Sequence, residues 1–434
     1  MRTLSTSGVR LLCLTGLLAV GCGEVIHGEE IRTPANWLRL AVTKLCGPEP
    51  LTGLMAQHQL NGAWFLEERN VQRHGRSLRL VQKFLLPRGG ELHVTRFQPG
   101  GRLRRFSVEF HATEGGKPVP RLWASADANC TLRAGRRIVS EKQGPSVSLE
   151  HLDIDLTTVR WTEKLQTPWP AGRDLGGPRV ALIDTGLAYD LAIYRERLAR
   201  DDDGTPLGYD YWDLDKWPYD GDASRGPFTP VRHGSAVASI VVREAPKATL
   251  IPLRYPRPDM RRMGDAVRRA ARAGARIVAM PLGSRKAGDW ETFEKAANAH
   301  PGLLFIVSAG NDGRNIDKTK LWPAALDLPN LIVVTSSDAF GRLAAGSNWG
   351  RTSVDIMLPA ENMPVIDFRG AKGKASGSSY AVPRLAAMAA RILTDEPTLS
   401  GNELKTRIFS RAVRSPYEDD VVAVGWIPDP LRDK

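Results

Sequence analysis

The stretch PRVALIDTG, residues 178–186, is an unbroken apolar run that ends in a carboxylate and a glycine. It lacks two-residue alternation, so a strand built here buries both of its faces. Four later stretches share the form: ATLIPLRY (248–255), ARIVAMPLG (275–283), LLFIVSAGN (303–311) and NLIVVTSSD (330–338). Helical patterns lie between them, near His233–Arg243, Met260–Ala273, Asp289–His300 and Ser379–Leu393. Two-faced strands alternating with helices predict an α/β fold with a doubly wound, mostly parallel sheet. Ligands of such sheets bind outside the carboxyl ends of the strands, where Asp184 and Asn311 fall.

Upstream, the period changes. SLRLVQKFLL (77–86), ELHVTRFQ (91–98) and RLRRFSVEF (102–110) alternate roughly every two residues, with Gly89-Gly90 and Pro99-Gly100-Gly101 between them. That is a β-meander. The chain therefore divides into a β-rich N-terminal accessory or pro-domain (24–166), a Pro- and Gly-rich linker (167–178), the α/β domain (179–415) and a C-terminal tail (416–434). A length of 434 residues with 42% hydrophobic and 25% charged residues is that of a multidomain globular chain, not a disordered or fibrous one.

Residues 1–22 read as an export signal. Arg2 and Arg10 precede the ten-residue apolar run Leu11–Val20, which is too short to span a bilayer. AVGC (19–22) resembles a bacterial lipoprotein processing box with Cys22 as the lipidated residue; plain secretory cleavage is the alternative. The expected location is outside the cytoplasm, membrane-anchored, periplasmic or secreted. Cys13 lies in the signal, which leaves Cys46 and Cys130 as an even pair for a disulfide, with two free buried thiols as the other reading.

Amide cleavage by a serine needs a base, a carboxylate that orients it, and donors for the oxyanion. After Pro178 there are only two histidines. His300 precedes Pro301-Gly302 and reads as a helix-terminal residue, whereas His233 opens HGSAVASIVV. A helix N-terminus favours the neutral imidazole that a general base requires. Asp184, buried at a strand tip, needs a partner such as an imidazole N–H. Ser379 begins an Ala-rich helix in ASGSSYAVPRLAAMAARIL and can offer its own N–H to an oxyanion, but Ser376 and Ser378 compete on local grounds. Asn311 offers an amide donor or a turn residue.

VALIDTG, HGSAVASI, SAGNDG and SGSSYAVP together resemble the four signature blocks of the subtilisin family, in that family's order. The likeness covers roughly residues 178–393. It implies a serine endopeptidase acting through an acyl-enzyme, with Asp184, His233 and Ser379 as the triad and Asn311 as oxyanion donor. It also selects Ser379 among the three serines. In MPLGS (280–284), the resemblance makes Pro281, Leu282 and Gly283 part of the strand that pairs with substrate. Pro281 stands where the family often has serine and lacks an N–H to give. Ser235, Ala236, Ser378, Tyr380 and Val382 depart from common family residues without removing a catalytic group.

The implied partner is a protein or peptide. No cofactor is required and no metal ligands are assigned, although the acidic segment 201–222 would resemble family calcium sites if it bound calcium; a solvated acidic loop is the plainer reading. The net charge is +12; the densest basic stretch, Arg261–Arg276, reads as an amphipathic helix without interleaved aromatics, so no nucleic-acid partner is expected. An α/β-hydrolase would order its triad Ser, Asp, His around G-x-S-x-G, which this chain does not. A non-catalytic binding protein on a protease-like scaffold is the remaining alternative.

Overall fold

The alternation of side chains across each strand decides what the central sheet packs against. In a computed structural model, which describes residues 32–73, 75–141, 144–417 and 420–432, eight strands form that sheet. They are β9 (Arg179–Asp184), β10 (Tyr209–Asp210), β11 (Thr249–Arg254), β12 (Ile277–Met280), β13 (Leu304–Ser308), β14 (Leu331–Ser337), β15 (Ile356–Pro359) and β18 (Gly425–Trp426). Their order is β10-β11-β9-β12-β13-β14-β15-β18, and every pairing is parallel. A short antiparallel pair, β16 (Met363–Ile366) and β17 (Lys372–Ala375), lies apart.

Val180, Leu182, Ala279, Leu304 and Ile306 face one core with helices α4 (Gly234–Glu244), α7 (Ser378–Asp395) and α8 (Gly401–Phe409). Ala181, Ile183, Val278, Phe305 and Val307 face a second core with α5 (Met263–Arg272) and α6 (Glu291–Asn298). The doubly wound sheet is thus what two-faced apolar strands require. A four-residue helix, α3 (Ala192–Arg195), buries Tyr194 in the first core. From β9 the chain moves to β11 on one side and then to β12 on the other, which makes the end of β9 the switch point of the sheet.

The upstream region folds as an eight-stranded antiparallel meander in sequence order: β1 (Trp64–Arg73), β2 (Arg76–Leu85), β3 (Glu91–Phe97), β4 (Arg105–Glu114), β5 (Lys117–Ala126), β6 (Leu132–Ser140), β7 (Val147–Leu152) and β8 (Val159–Gln166). Two helices precede it, α1 (Pro34–Leu45) and α2 (Gly53–Gln59). Helix α1 starts at a Thr33 cap and buries Trp37, Leu38, Ala41, Val42 and Leu45 against Phe84, Leu92, Val94, Phe106 and Val108. Both helices fall inside the region 24–166 whose sequence reads as β-rich. Cys46, at the end of α1, is joined to Cys130 by a disulfide with a Cα–Cα distance of 5.6 Å.

The meander grips the loop that leads to α4. Phe228 is buried among Trp123 and Leu149, and the Arg136 guanidinium donates to its carbonyl. Residues 167–178 are held to the parallel-sheet domain, with Trp169 on the Tyr189 ring at 4.1 Å and Arg200 donating to the Pro170 carbonyl at 2.9 Å. Within 416–434, expected as a tail, β18 joins the edge of the parallel sheet and Trp426 Nε1 donates to Ser337 Oγ at 3.1 Å. Several arginines of 261–276 are occupied locally: Arg261 with Asp259, Arg268 with Asp265, and Arg276 on the carbonyls of Pro397 and Leu399. No described helix is long and apolar enough to cross a membrane.

Ile306 is fully buried between β12 and β14. Ile306→Ala is expected to lower stability by about 2–5 kcal/mol through lost transfer energy and a cavity. Phe340→Ala, at a side chain that is 64% exposed, should change it by no more than about 0.5 kcal/mol. Denaturant midpoints of the two variants measure the contrast.

Candidate active site

The site begins at the switch point. Asp184 is the last residue of β9 and is 3% exposed. Its carboxylate accepts from the Thr185 N–H at 2.6 Å and meets His233 Nδ1 at 2.8 and 2.9 Å. The carboxylate therefore places the proton on Nδ1 and leaves Nε2 as the basic atom.

His233 caps α4 from a non-helical conformation but gives no side-chain cap. That service comes from Asp220, which is wholly buried. Asp220 accepts from the Ser235 N–H at 2.9 Å, the His233 N–H at 3.3 Å and the Thr185 hydroxyl at 2.6 Å. Thr185 Oγ1 in turn accepts from the Gly234 N–H at 2.8 Å. A buried carboxylate is tolerable here because hydrogen bonds and the helix dipole compensate it. Only glycine fits at 234, since a Cβ there would lie 2.0 Å from the Gly186 carbonyl oxygen.

Electrostatics corrects one sequence expectation. Burial opposes charge on His233, but the charge and hydrogen bond of Asp184, aided by Asp220, outweigh it and raise the imidazole pKa above its ordinary value. The helix N-terminus, expected to favour the neutral ring, is overridden by a carboxylate in direct contact. The raised pKa means that this ion pair stabilises the fold below about pH 6.5, and that the contribution is lost as pH rises through the folded-state pKa.

Across the cleft, the three serines differ in their surroundings. Ser376 is exposed and accepts from the Asn362 N–H at 2.8 Å. Ser378 is fully buried and donates both its N–H and its O–H to Asn311 Oδ1, each at 2.9 Å. Ser379, second in α7, is half-buried and faces the cleft. Its hydroxyl donates to the Pro281 carbonyl at 3.5 Å, and no hydrogen bond joins it to His233 among the described residues.

Asn311 is exposed, and Ser378 ties its side chain to the start of α7. A backbone N–H can only donate, so the Ser378 contact fixes which end of the amide is oxygen and leaves Nδ2 as a donor. Gly377 leaves room for this side chain, because a Cβ at 377 would sit 2.9 Å from Asn311 Oδ1. Buried Asn348 holds the loop from below, accepting from the N–H groups of Asp312 and Arg314 and donating to the Ala309 carbonyl. Asp220 and Asn348 were not singled out from sequence; their partners are 13 to 39 residues away, and no local spacing signals them.

Asp184, His233, Ser379, Pro281, Leu282 and Gly283 line one cleft of about 630 Å³. No described residue before Asp184 lines it. Ser284 pairs with Trp322, while the backbones of Leu282 and Gly283 form no hydrogen bond with the described residues. Several carboxylates of 201–222 are engaged by the protein: Asp210 and Asp213 share Arg254, Asp222 accepts from Tyr255, and Asp220 serves α4.

In Ser379→Ala protein, NMR titration of His233 should give a pKa above the ordinary value of about 6.5. Asp184→Asn removes the largest raising influence and should lower that pKa. An unchanged titration in Asp184→Asn would contradict the assignment of the pair.

Residues 176–426 match the model of the subtilase family. A thermophilic serine proteinase from Bacillus sp. (strain AK1) is 30% identical over 239 residues, 51% of this chain and 53% of the relative. A halolysin-like extracellular serine protease of Natrialba magadii is 28% identical over 264 residues, 57% of this chain and 46% of the relative. The chain thus spans about half the length of these curated relatives. Among solved structures, one describing subtilase cytotoxin assembly aligns with a TM-score of 0.50 at 19% identity, over 60% of this chain and 90% of the other, a likeness of fold. With the family model covering more than half of its length and a doubly wound parallel sheet beneath the matched residues, the chain belongs to the subtilase family.

Proposed function

We propose that this chain is an exported serine endopeptidase that cleaves protein or peptide substrates through an acyl-enzyme on Ser379. The observation that carries the reading is the Asp184–His233 hydrogen bond at the head of a cleft that also presents the Ser379 hydroxyl. Substrate binds as an added strand against Leu282 and Gly283, whose backbone groups are free to pair with it. Pro281 gives a carbonyl there but no N–H. Ser379 Oγ turns from the Pro281 carbonyl toward His233 Nε2, a contact that often tightens only when substrate is bound.

Ser379 Oγ then attacks the scissile carbonyl while Nε2 takes its proton, and Asp184 stabilises the imidazolium. The Ser379 N–H and Asn311 Nδ2 donate to the oxyanion. His233 returns the proton to the leaving amine, and water hydrolyses the acyl-enzyme by the same route in reverse. The hydrogen bond that Ser379 and His233 do not share favours one second reading, a non-catalytic binding protein.

Export belongs to the same proposal. The Leu11–Val20 run and Cys22 lie outside the described residues, so support comes from the Cys46–Cys130 disulfide, a bond that persists in oxidising compartments.

Purified protein should digest an unfolded protein substrate. Ser379→Ala should lower kcat by about 10⁶-fold, the order found for subtilisin, and Asn311→Ala by about 10²–10³-fold. Proteolysis equal in wild type and Ser379→Ala would overturn the assignment. Binding of peptide without turnover by the wild type would favour the second reading.

A further inference from the structure

The tripeptide Glu-x-His occurs twice in the meander, as ELH at 91–93 and EFH at 109–111. Residues two apart on a strand share a face, so each copy puts a carboxylate and an imidazole side by side. The two copies sit on the neighbouring antiparallel strands β3 and β4, in a register that sets Glu91 opposite His111 and His93 opposite Glu109. The pairing thus builds a checkerboard of two imidazoles and two carboxylates. Leu92 and Val94 of β3, with Phe106 and Val108 of β4, point the other way, into the core under α1.

The four groups are drawn together. His93 Nε2 lies 2.6 Å from Glu91 Oε2, and His111 Nε2 lies 3.0 Å from Glu109 Oε2. The two imidazoles stack with centroids 3.9 Å apart. Ligand-type atoms of His93, Glu109 and His111 all lie within 4.8 Å of one another. The side chains are only 11–26% exposed, so the quartet is sheltered yet reachable. The nearest cation on the flanking strand, Lys83 opposite His93, is engaged by Glu67 at 2.7 Å.

We propose that His93, His111 and Glu109 of this quartet form a binding site for a divalent transition-metal ion of the zinc class. They offer two imidazole nitrogens and one carboxylate oxygen, a three-donor set that Zn²⁺ accepts with a fourth position left open. Glu91 beside His93 adds a second neutralising charge. Zinc needs its donors at about 2.0–2.2 Å. The three ligand atoms lie within 4.8 Å of one another, and side-chain rotation has to close the remaining gap. Each imidazole that now gives its Nε2 proton to a glutamate carries that proton on Nδ1 when the metal is bound. The ion would clamp β3 to β4 on the face opposite α1, in a region with no described residue in the lining of the cleft.

The test uses the whole chain carrying Ser379→Ala, which prevents self-digestion. After removal of metal by a chelator, the protein is equilibrated with Zn²⁺, or with Co²⁺ as a spectroscopic substitute. One equivalent of Zn²⁺ should bind, and Co²⁺ should give the visible bands of low-coordinate cobalt. His93→Gln, His111→Gln and Glu109→Gln should each weaken binding at least about tenfold. Adding His233→Ala should leave it unchanged, which separates the quartet from the catalytic imidazole. Glu109→Gln keeps a hydrogen-bond acceptor for His111, so it reads the site even where a histidine variant folds poorly. Failure to retain Zn²⁺ at micromolar free concentration, or binding that survives the quartet substitutions but is lost with His233→Ala, overturns the proposal.

Discussion

One buried contact sets the geometry on which the site depends: the Asp220 carboxylate, closed between the tip of β9 and the first turn of α4. It gathers the Thr185 hydroxyl and the backbone N–H groups of His233 and Ser235. These amides have no partner within the helix, so an acceptor from elsewhere must meet them when the helix end is buried. By meeting them, Asp220 fixes how far α4 stands from β9, and hence where the His233 ring lies against Asp184. The close approach of Gly234 to the Gly186 carbonyl follows from the same closure. On the far side of the cleft, Ser378 and Asn348 do the equivalent work for Asn311.

Much of this was legible in the sequence. Two-faced apolar strands gave the parallel sheet because burial on both sides leaves no room for polar alternation, and the strand ends named the region of the site. The pairing of Asp184 with His233 followed from what a buried carboxylate needs. Ser376, Ser378 and Ser379 are not distinguishable locally, and only the fold sets them apart: Ser378 is buried against Asn311, Ser376 is exposed and Ser379 faces the cleft. Asp220 was hidden among the acidic residues of 201–222, where composition suggested a solvated loop. The rise in the His233 pKa is not legible from the helix alone, because the full charge of the touching carboxylate outweighs the partial charge of the helix end.

The meander was legible from its alternation, while α1 within the same region was not separated from it. The two Glu-x-His tripeptides look unremarkable one at a time, and only strand register joins them. Register also explains how the meander serves the α/β domain. Trp123 on β5 and Leu149 on β7 meet around Phe228, so the meander holds the loop five residues before His233 and stays clear of the cleft.

The most direct measurement of the central claim is a crystal structure of the protein after reaction with a fluorophosphonate, which leaves a tetrahedral phosphoryl group on an activated serine. The account predicts an adduct on Ser379, with one phosphoryl oxygen accepting from Asn311 Nδ2 and the Ser379 N–H, and His233 Nε2 turned toward Ser379 Oγ. An adduct on Ser376 or Ser378, or an unlabelled Ser379 beside an intact Asp184–His233 pair, would contradict it.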